Sequence, residues 1–247
     1  VQGWQPCRGV GCPHKHQFSF LLSLRAARGT KERSNLARYT GPLCKLCRRE
    51  GMKLYLKGDR CMTPKCAIEK RPNVLPGQIQ GARRRKPTEY GLQLREKQKA
   101  RRIYGVLEKQ FRRHFEAASK SGGATGDKLI ELLESRLDNV VYRMGFASNR
   151  NKARQLVNHG HFTVNGRKVT IPSAMVKVGD LVAVKENSRA LVYFKDLIDE
   201  MESRDVASWV DVEPRNLSGK MTRLPGPQEA QPILSEQLIV EHYSRRI

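Results

Sequence analysis

Arg136-Leu137-Asp138-Asn139-Val140-Val141-Tyr142-Arg143-Met144-Gly145-Phe146-Ala147-Ser148-Asn149-Arg150-Asn151-Lys152 is the run on which the architecture turns. Leu129, Leu133, Leu137, Val140, Val141 and Met144 recur at helical spacing, which predicts an amphipathic helix from about Lys128 to Met144. Gly145 ends it, because glycine takes a left-handed cap without steric penalty. Ser148 is placed to cap a second helix, Asn149 to about Asn158, with Ala153, Leu156 and Val157 inward. Further on, His161-Phe162-Thr163-Val164-Asn165-Gly166-Arg167-Lys168-Val169 reads as a tight hairpin, since Asn-Gly supplies the positive φ angles of a type I′ turn. Val178-Gly179-Asp180 leads into another strand, Leu181–Lys185.

This helix–helix–hairpin unit carries a chemistry as well as a shape. The second helix starts beside Arg150 and Lys152, so its exposed amides, positive dipole end and two cations form a phosphate-binding arrangement. Arg154, Asn158, His159 and His161 extend the polar face, and Arg167 and Lys168 follow the turn. Aromatic stacking platforms are scarce here, because Phe146 and Phe162 fall at packing positions. Recognition of the shape and backbone of folded RNA fits better than readout of single strands.

Outward from this unit, a strong helix is predicted from about Tyr90 to Ser119. Ile103, Leu107, Phe111 and Phe115 form its stripe, and Arg95, Lys99, Arg102, Lys109, Arg112 and Arg113 occupy other faces. A Pro/Gly/basic connector, Pro72 through Arg83-Arg84-Arg85-Lys86-Pro87, precedes it and should run extended. Downstream come a helix from Val192 to Met201, a Pro-punctuated tail from Pro214 to Pro232, and a closing strand over Gln237–Tyr243.

Four of the six cysteines form Cys44-x2-Cys47-x13-Cys61-x4-Cys66. Two close pairs joined by a short loop let four thiolates converge on a tetrahedral ion. Lys45, Arg48, Arg49, Lys65 and Lys70 beside them are expected to lower the thiol pKa values. Zinc is the default, and a 4Fe–4S cluster uses the same donors. Four filled positions imply a structural role. Cys7 and Cys12 with His14 and His16 imitate a second site, but so tight a loop reads as chance.

The 247 residues hold 47 Lys+Arg against 24 Asp+Glu, a formal charge of +23. By segment the balance is +5 over 1–35, +16 over 36–126 and +2 over 127–247. An excess so concentrated points to a polyanion, and above all to nucleic acid. No stretch approaches the ~20 apolar residues of a membrane span, which excludes a polytopic helical membrane protein. Residues 1–35 differ from the rest in composition. An Arg-rich transit peptide and a translated leader are the readings that suit them. In the second, Leu36 is an alternative initiator and Lys31-Glu32-Arg33 encodes a purine-rich ribosome-binding sequence. The segment is expected to be absent from the mature protein.

Several of these motifs carry a family resemblance. Ala37-Arg38-Tyr39-Thr40-Gly41-Pro42 with the first cysteine pair, Glu89–Lys99, Arg136–Arg143, Gly160–Gly166 and Glu241-His242-Tyr243-Ser244-Arg245 resemble bacterial-type ribosomal protein S four of the small subunit. The resemblance covers essentially 36–247. It implies a non-enzymatic, primary binder of 16S rRNA that nucleates 30S assembly and contributes to translational accuracy in the cytoplasmic ribosome, or in an organelle if 1–35 is a transit peptide. It further implies contact with the neighbouring protein S five and, in some members, repression of their own mRNA. Many relatives lack the four cysteines, so a metal is not required by the fold.

The expected fold is α+β. Residues 1–35 form an extension, and 36–126 a basic helical rRNA-binding domain with the four-cysteine metal knuckle. Residues 127–198 form the helix–helix–β-hairpin RNA-binding domain with a small sheet, and 199–247 pack back on the N-terminal domain. Metal ligands are expected at Cys44, Cys47, Cys61 and Cys66. RNA contacts are expected at Arg83, Arg84, Arg85, Lys86, Lys99, Arg102, Arg136, Arg143, Ser148, Arg150, Lys152, Arg154, His159, His161, Arg167 and Lys168. The main alternative is an RNA-modifying enzyme using the same module, yet the sequence offers no catalytic constellation for it. A DNA-binding regulator would want a finger pattern with paired cysteines followed by paired histidines, which is absent.

Overall fold

The computed structural model describes residues 38–72, 74–77, 86–201, 204, 206–229 and 234–244. The leader reading for 1–35 and the expected contacts at Arg83, Arg84 and Arg85 lie outside these residues. Two apolar cores organise the described chain.

The first core is helical. It is built by α1 (Leu43–Glu50), α2 (Ala67–Lys70), α3 (Glu89–Ile103), α4 (Glu108–Lys120) and α5 (Thr125–Glu134), and closed by α10 (Glu236–Ser244) at the far end of the chain. The predicted Tyr90–Ser119 helix is broken in two. Gly105 takes φ 64°, Val106 N–H bonds back to Arg101 O at 3.1 Å, and Leu107 starts α4 in an extended conformation. The turn buries Ile103, Tyr104 and Val106 together while Leu107 faces solvent, so the four-residue stripe does not run through.

The predicted strand at Gln237–Tyr243 is instead α10. Ile239, His242 and Tyr243 share a buried face at spacings of three and four, and Leu238-Ile239-Val240 is apolar enough to imitate a strand locally. The Tyr243 ring stacks on Phe115 at 4.6 Å between centroids, and its hydroxyl donates to Glu108 at 2.9 Å. Gln93, fully buried on α3, donates to Glu241 at 3.1 Å.

The second core lies under a five-stranded antiparallel sheet. Its elements are α6 (Leu137–Arg143), α7 (Arg150–Asn158), β1 (Phe162–Val164), β2 (Arg167–Lys168), β3 (Leu181–Val184), α8 (Glu186–Arg189), α9 (Val192–Met201), β4 (Val210–Glu213) and β5 (Ser218–Met221). The strand order is β2-β1-β3-β5-β4. The hairpin is as expected: Asn165 and Gly166 take φ 49° and 78°, and Val164 pairs with Arg167. The Asn165 side chain also bonds Asp180 at 2.8 Å and Leu181 N–H at 2.9 Å, tying the turn to β3.

The single helix predicted over Lys128–Met144 breaks at Ser135-Arg136. There the chain leaves helical geometry to pair with the 172–176 loop: Val176 N–H bonds Ser135 O, Leu137 N–H bonds Ala174 O, and Asp138 N–H bonds Pro172 O. These bonds satisfy amides that a helix start leaves open. The strands β4 and β5 lie in the 199–247 segment expected to pack back on the N-terminal domain. They extend the sheet from β3 and bring Trp209, Leu217 and Met221 into the second core, while 234–244 return to the first.

Candidate nucleic-acid interface

Six of the cations expected at RNA, Lys99, Arg102, Arg136, Arg143, Arg150 and Arg154, are paired with carboxylates. Four carboxylates, on α1, α4, α5 and α6, each hold two cations. Glu50 takes Arg95 and Arg102. Glu108 takes Lys97 at 2.9 Å and Arg101 at 2.6 Å. Glu134 takes Arg143 at 2.7 Å and Arg150 at 3.9 Å. Asp138 takes Arg136 and Arg154, both at 3.0 Å.

Glu134 is the best-buried member. Arg143 donates to it twice, Tyr104 donates its hydroxyl at 2.7 Å, and Asn139 adds a side-chain bond. Burial alone would push this carboxyl up, but the Arg143 hydrogen bonds and charge, with Arg150, hold it below the ordinary glutamate value. The same environment drives the Tyr104 phenol well above its ordinary value, through burial first and the Glu134 charge second. Arg150 sits over the Tyr142 and Tyr104 rings, 4.5 and 5.3 Å from their centroids, and its Nε donates to Asn139.

The structure sets the expected contacts in unlike surroundings. Arg136 and Arg143 are 1% and 6% exposed and paired with Asp138 and Glu134, which places them in the interior and not on an open face. A helical wheel shows a cation on a face but not the carboxylate that faces it from another element. Lys99 is buried against Glu96 at 2.8 Å, whereas Arg102, paired to Glu50, keeps 21% of its side chain exposed. The α7 cap is Asn149, whose side chain accepts Lys152 N–H at 2.9 Å, and not Ser148. Ser148 is where the cysteine segment meets the second core: a Cβ on Gly58 would lie 2.5 Å from its carbonyl oxygen.

Other expected contacts are better placed. Lys86, His159, Arg167 and Lys168 are exposed, and Lys152 is half-buried with Nζ 3.9 Å from the Tyr193 ring centroid. His161 is half-buried, with Nδ1 3.0 Å from the Ser188 hydroxyl. Burial first, then His159 and Lys168, push its pKa down, which favours the neutral ring. Arg101 was missed by sequence reasoning, although its position beside Arg102, one turn before Gly105, was a usable signal.

Cys44, Cys47, Cys61 and Cys66 line one small cleft together with Lys57 and Arg60, and all four are free thiols. Among the described residues, no group of three or more His, Cys, Asp and Glu side chains could hold a metal ion as it stands. Burial pushes the Cys47 and Cys61 thiols up, contrary to the lowering expected from their neighbours. The cause is that Lys45, Arg49, Lys65 and Lys70 point to solvent, and Arg48 donates to the Val74 and Leu75 carbonyls.

A sequence profile of the ribosomal protein S4/S9 N-terminal domain matches residues 38–134, and a profile of the S4 domain matches 135–182. The boundary between them falls at the Ser135-Arg136 break. Small ribosomal subunit protein uS4A of Symbiobacterium thermophilum is 59% identical over 210 residues, 85% of this chain and 100% of its own length. The uS4 proteins of Pelotomaculum thermopropionicum and Thermus thermophilus are 56% and 54% identical over the same spans. The chain belongs to the ribosomal protein uS4 family. That family is a structural, non-enzymatic component of the ribosome, and nothing in the uS4 matches supports the RNA-modifying alternative. The uS4 relatives also account for the mixed helical and small-sheet fold, since the two profiles divide along its two cores. Among the described residues, no helix is long and apolar enough to cross a membrane.

Proposed function

We propose that this chain is a structural constituent of the small ribosomal subunit that binds 16S rRNA directly and takes part early in 30S assembly in the cytoplasmic ribosome. The observation that carries this reading is the match to uS4 relatives over their whole length and 85% of this chain, whose charge is +23. Other small-subunit proteins are its neighbours, with protein S five the specific one proposed from the family resemblance. Its own messenger is a second RNA that the same surface would recognise.

The test is binding of the full chain to full-length 16S rRNA across a salt series, with duplex DNA as control. A steep fall of affinity with salt is expected for rRNA, with at least tenfold weaker binding to DNA. Equal affinity for both would defeat the reading.

The four cysteines are proposed to hold a structural metal, with zinc first and a 4Fe–4S cluster second. The support is their paired spacing, their free state and their shared cleft. Cys47, Cys61 and their partners would be the ligands, and the ion would fix the turn over 58–66 against α1 without any catalytic part. Metal analysis of the purified protein should give one zinc per chain, or visible absorption typical of a cluster. Removal should open residues 43–70 to protease. An unchanged protease pattern after chelation would refute the structural role.

A further inference from the structure

A cleft of about 270 Å3 is lined by one cation partner of each of the four doubly paired carboxylates: Arg102, Arg101, Arg150 and Arg154. In three of the four pairs the cleft-lining member is the more exposed one. The side-chain figures are 24% against 5% at Glu108, 11% against 6% at Glu134 and 17% against 1% at Asp138. With Arg38, the lining carries five arginines against one carboxylate, Asp138, a net positive charge of four.

Fixed guanidinium groups are pre-organised anion donors, because their orientation has been set before any ligand arrives. The floor is different in kind. Leu46, Leu56, Ile103 and Val106 make it apolar, and Tyr39 and Tyr55 supply ring faces. Tyr55 is held at φ 51°, a left-handed conformation that an aromatic residue rarely adopts and that tends to mark functional positions.

We infer that this cleft receives a single unpaired nucleotide of the bound RNA, its base against the tyrosines and its phosphate among Arg101, Arg102 and Arg154. The inference rests on the rRNA-binding reading above and deepens it. At its volume, just below the ~300–1,000 Å3 of small-ligand sites, the cavity excludes a duplex and suits one extruded nucleotide. The mixture of stacking faces and clustered guanidinium groups is what an unstacked base with its phosphate requires. The long basic helix thus contributes a concave site in addition to a charged face.

Ultraviolet cross-linking of the full chain to full-length 16S rRNA, followed by nuclease digestion and peptide mass spectrometry, tests it. A mononucleotide adduct on a peptide carrying Tyr39 or Tyr55 is expected. The double variant Arg101→Gln, Arg154→Gln should cut that adduct at least fivefold and lower the salt slope of binding by about one to two. It should still fold, because Glu108 keeps Lys97 and Asp138 keeps Arg136. Tyr55→Gly, which accepts the same backbone angle, should abolish any adduct at that position with the thermal midpoint preserved. Adducts elsewhere but none at Tyr39 or Tyr55 would overturn the cleft and leave rRNA binding standing, as would an undiminished adduct in the double arginine variant. Failure of the wild-type chain to bind rRNA would remove both readings.

Discussion

Glu134 at the end of α5 and Arg143 at the end of α6 are joined by two parallel hydrogen bonds, Nε to Oε2 at 2.8 Å and Nη2 to Oε1 at 2.7 Å. The carboxylate is completely buried, and the pair spans the point where the helical core hands over to the sheet core. Arg143 also donates to the Glu229 carbonyl at 3.0 Å, so it reaches the chain beyond the sheet. Replacing Arg143 by Met would leave a buried carboxylate short of its main partner. A loss of about 3–5 kcal/mol in urea unfolding is expected, far beyond that of a surface cation. A variant as stable as wild type, with weakened RNA binding, would return Arg143 to the interface.

The same geometry gives stability a pH dependence. The Glu134 and Glu108 carboxyls both sit below the ordinary value of 4.5; burial works against this, and their arginine, lysine and tyrosine partners outweigh it. The unfolded chain therefore takes up these protons at a higher pH than the folded one does. Their contribution is fully present above about pH 5 and is lost as pH falls through 4.5 towards the folded values. Thermal midpoints should hold steady from pH 7 to 5 and drop below 4.5. In Glu134→Gln, whose wild-type partner ions are already disturbed at neutral pH, that acid drop should be smaller. An equal drop in both proteins would place the titrating groups elsewhere.

What was legible in the sequence follows the range of the interactions involved. The Asn165-Gly166 turn, α7 and α9 were readable because local chemistry decides them: a positive-φ pair and apolar stripes. The breaks at Gly105 and Ser135 were not, because each is set by a distant partner, Tyr104 reaching Glu134 and Leu137 reaching Ala174. Strand β5, Ser218-Gly219-Lys220-Met221, has little intrinsic strand character and exists because β3 and β4 flank it. Gly219 is needed there, since a Cβ would lie 2.9 Å from the Met144 sulfur. The ion pairs around the candidate site were illegible for the same reason. Arg136 and Arg143 read as surface cations until Asp138 and Glu134 are placed beside them.

Asn165 does more than permit a turn. Its side chain bonds both Asp180 and the Leu181 amide, and its backbone takes the left-handed angle that Asn tolerates best after Gly. Asn165→Ala removes the two bonds and keeps an unfavourable φ, for a loss of about 1–3 kcal/mol. Asn165→Gly relieves the backbone and should recover part of it. Hydrogen exchange should speed up at Leu181 in both variants, because the Asn oxygen is that amide's acceptor. An unaltered Leu181 amide would show that the bond carries no weight.

Arg167 and Lys168 leave the hairpin turn on the edge strand β2, both exposed, with no ion pair among the described residues. Nothing among the described residues explains two adjacent cations there, whereas the interior cations are accounted for by carboxylates. An edge strand gains protection from charge, so solubility alone would be satisfied by either sign. Phosphate contact requires the positive one. Arg167→Gln with Lys168→Gln should leave the urea midpoint within experimental scatter and lower the log–log salt slope of 16S rRNA binding by about two. Arg167→Glu with Lys168→Glu separates the two roles, since it keeps a charged edge and should weaken binding further. If the glutamate variant binds as wild type does, the pair serves the edge and not the RNA.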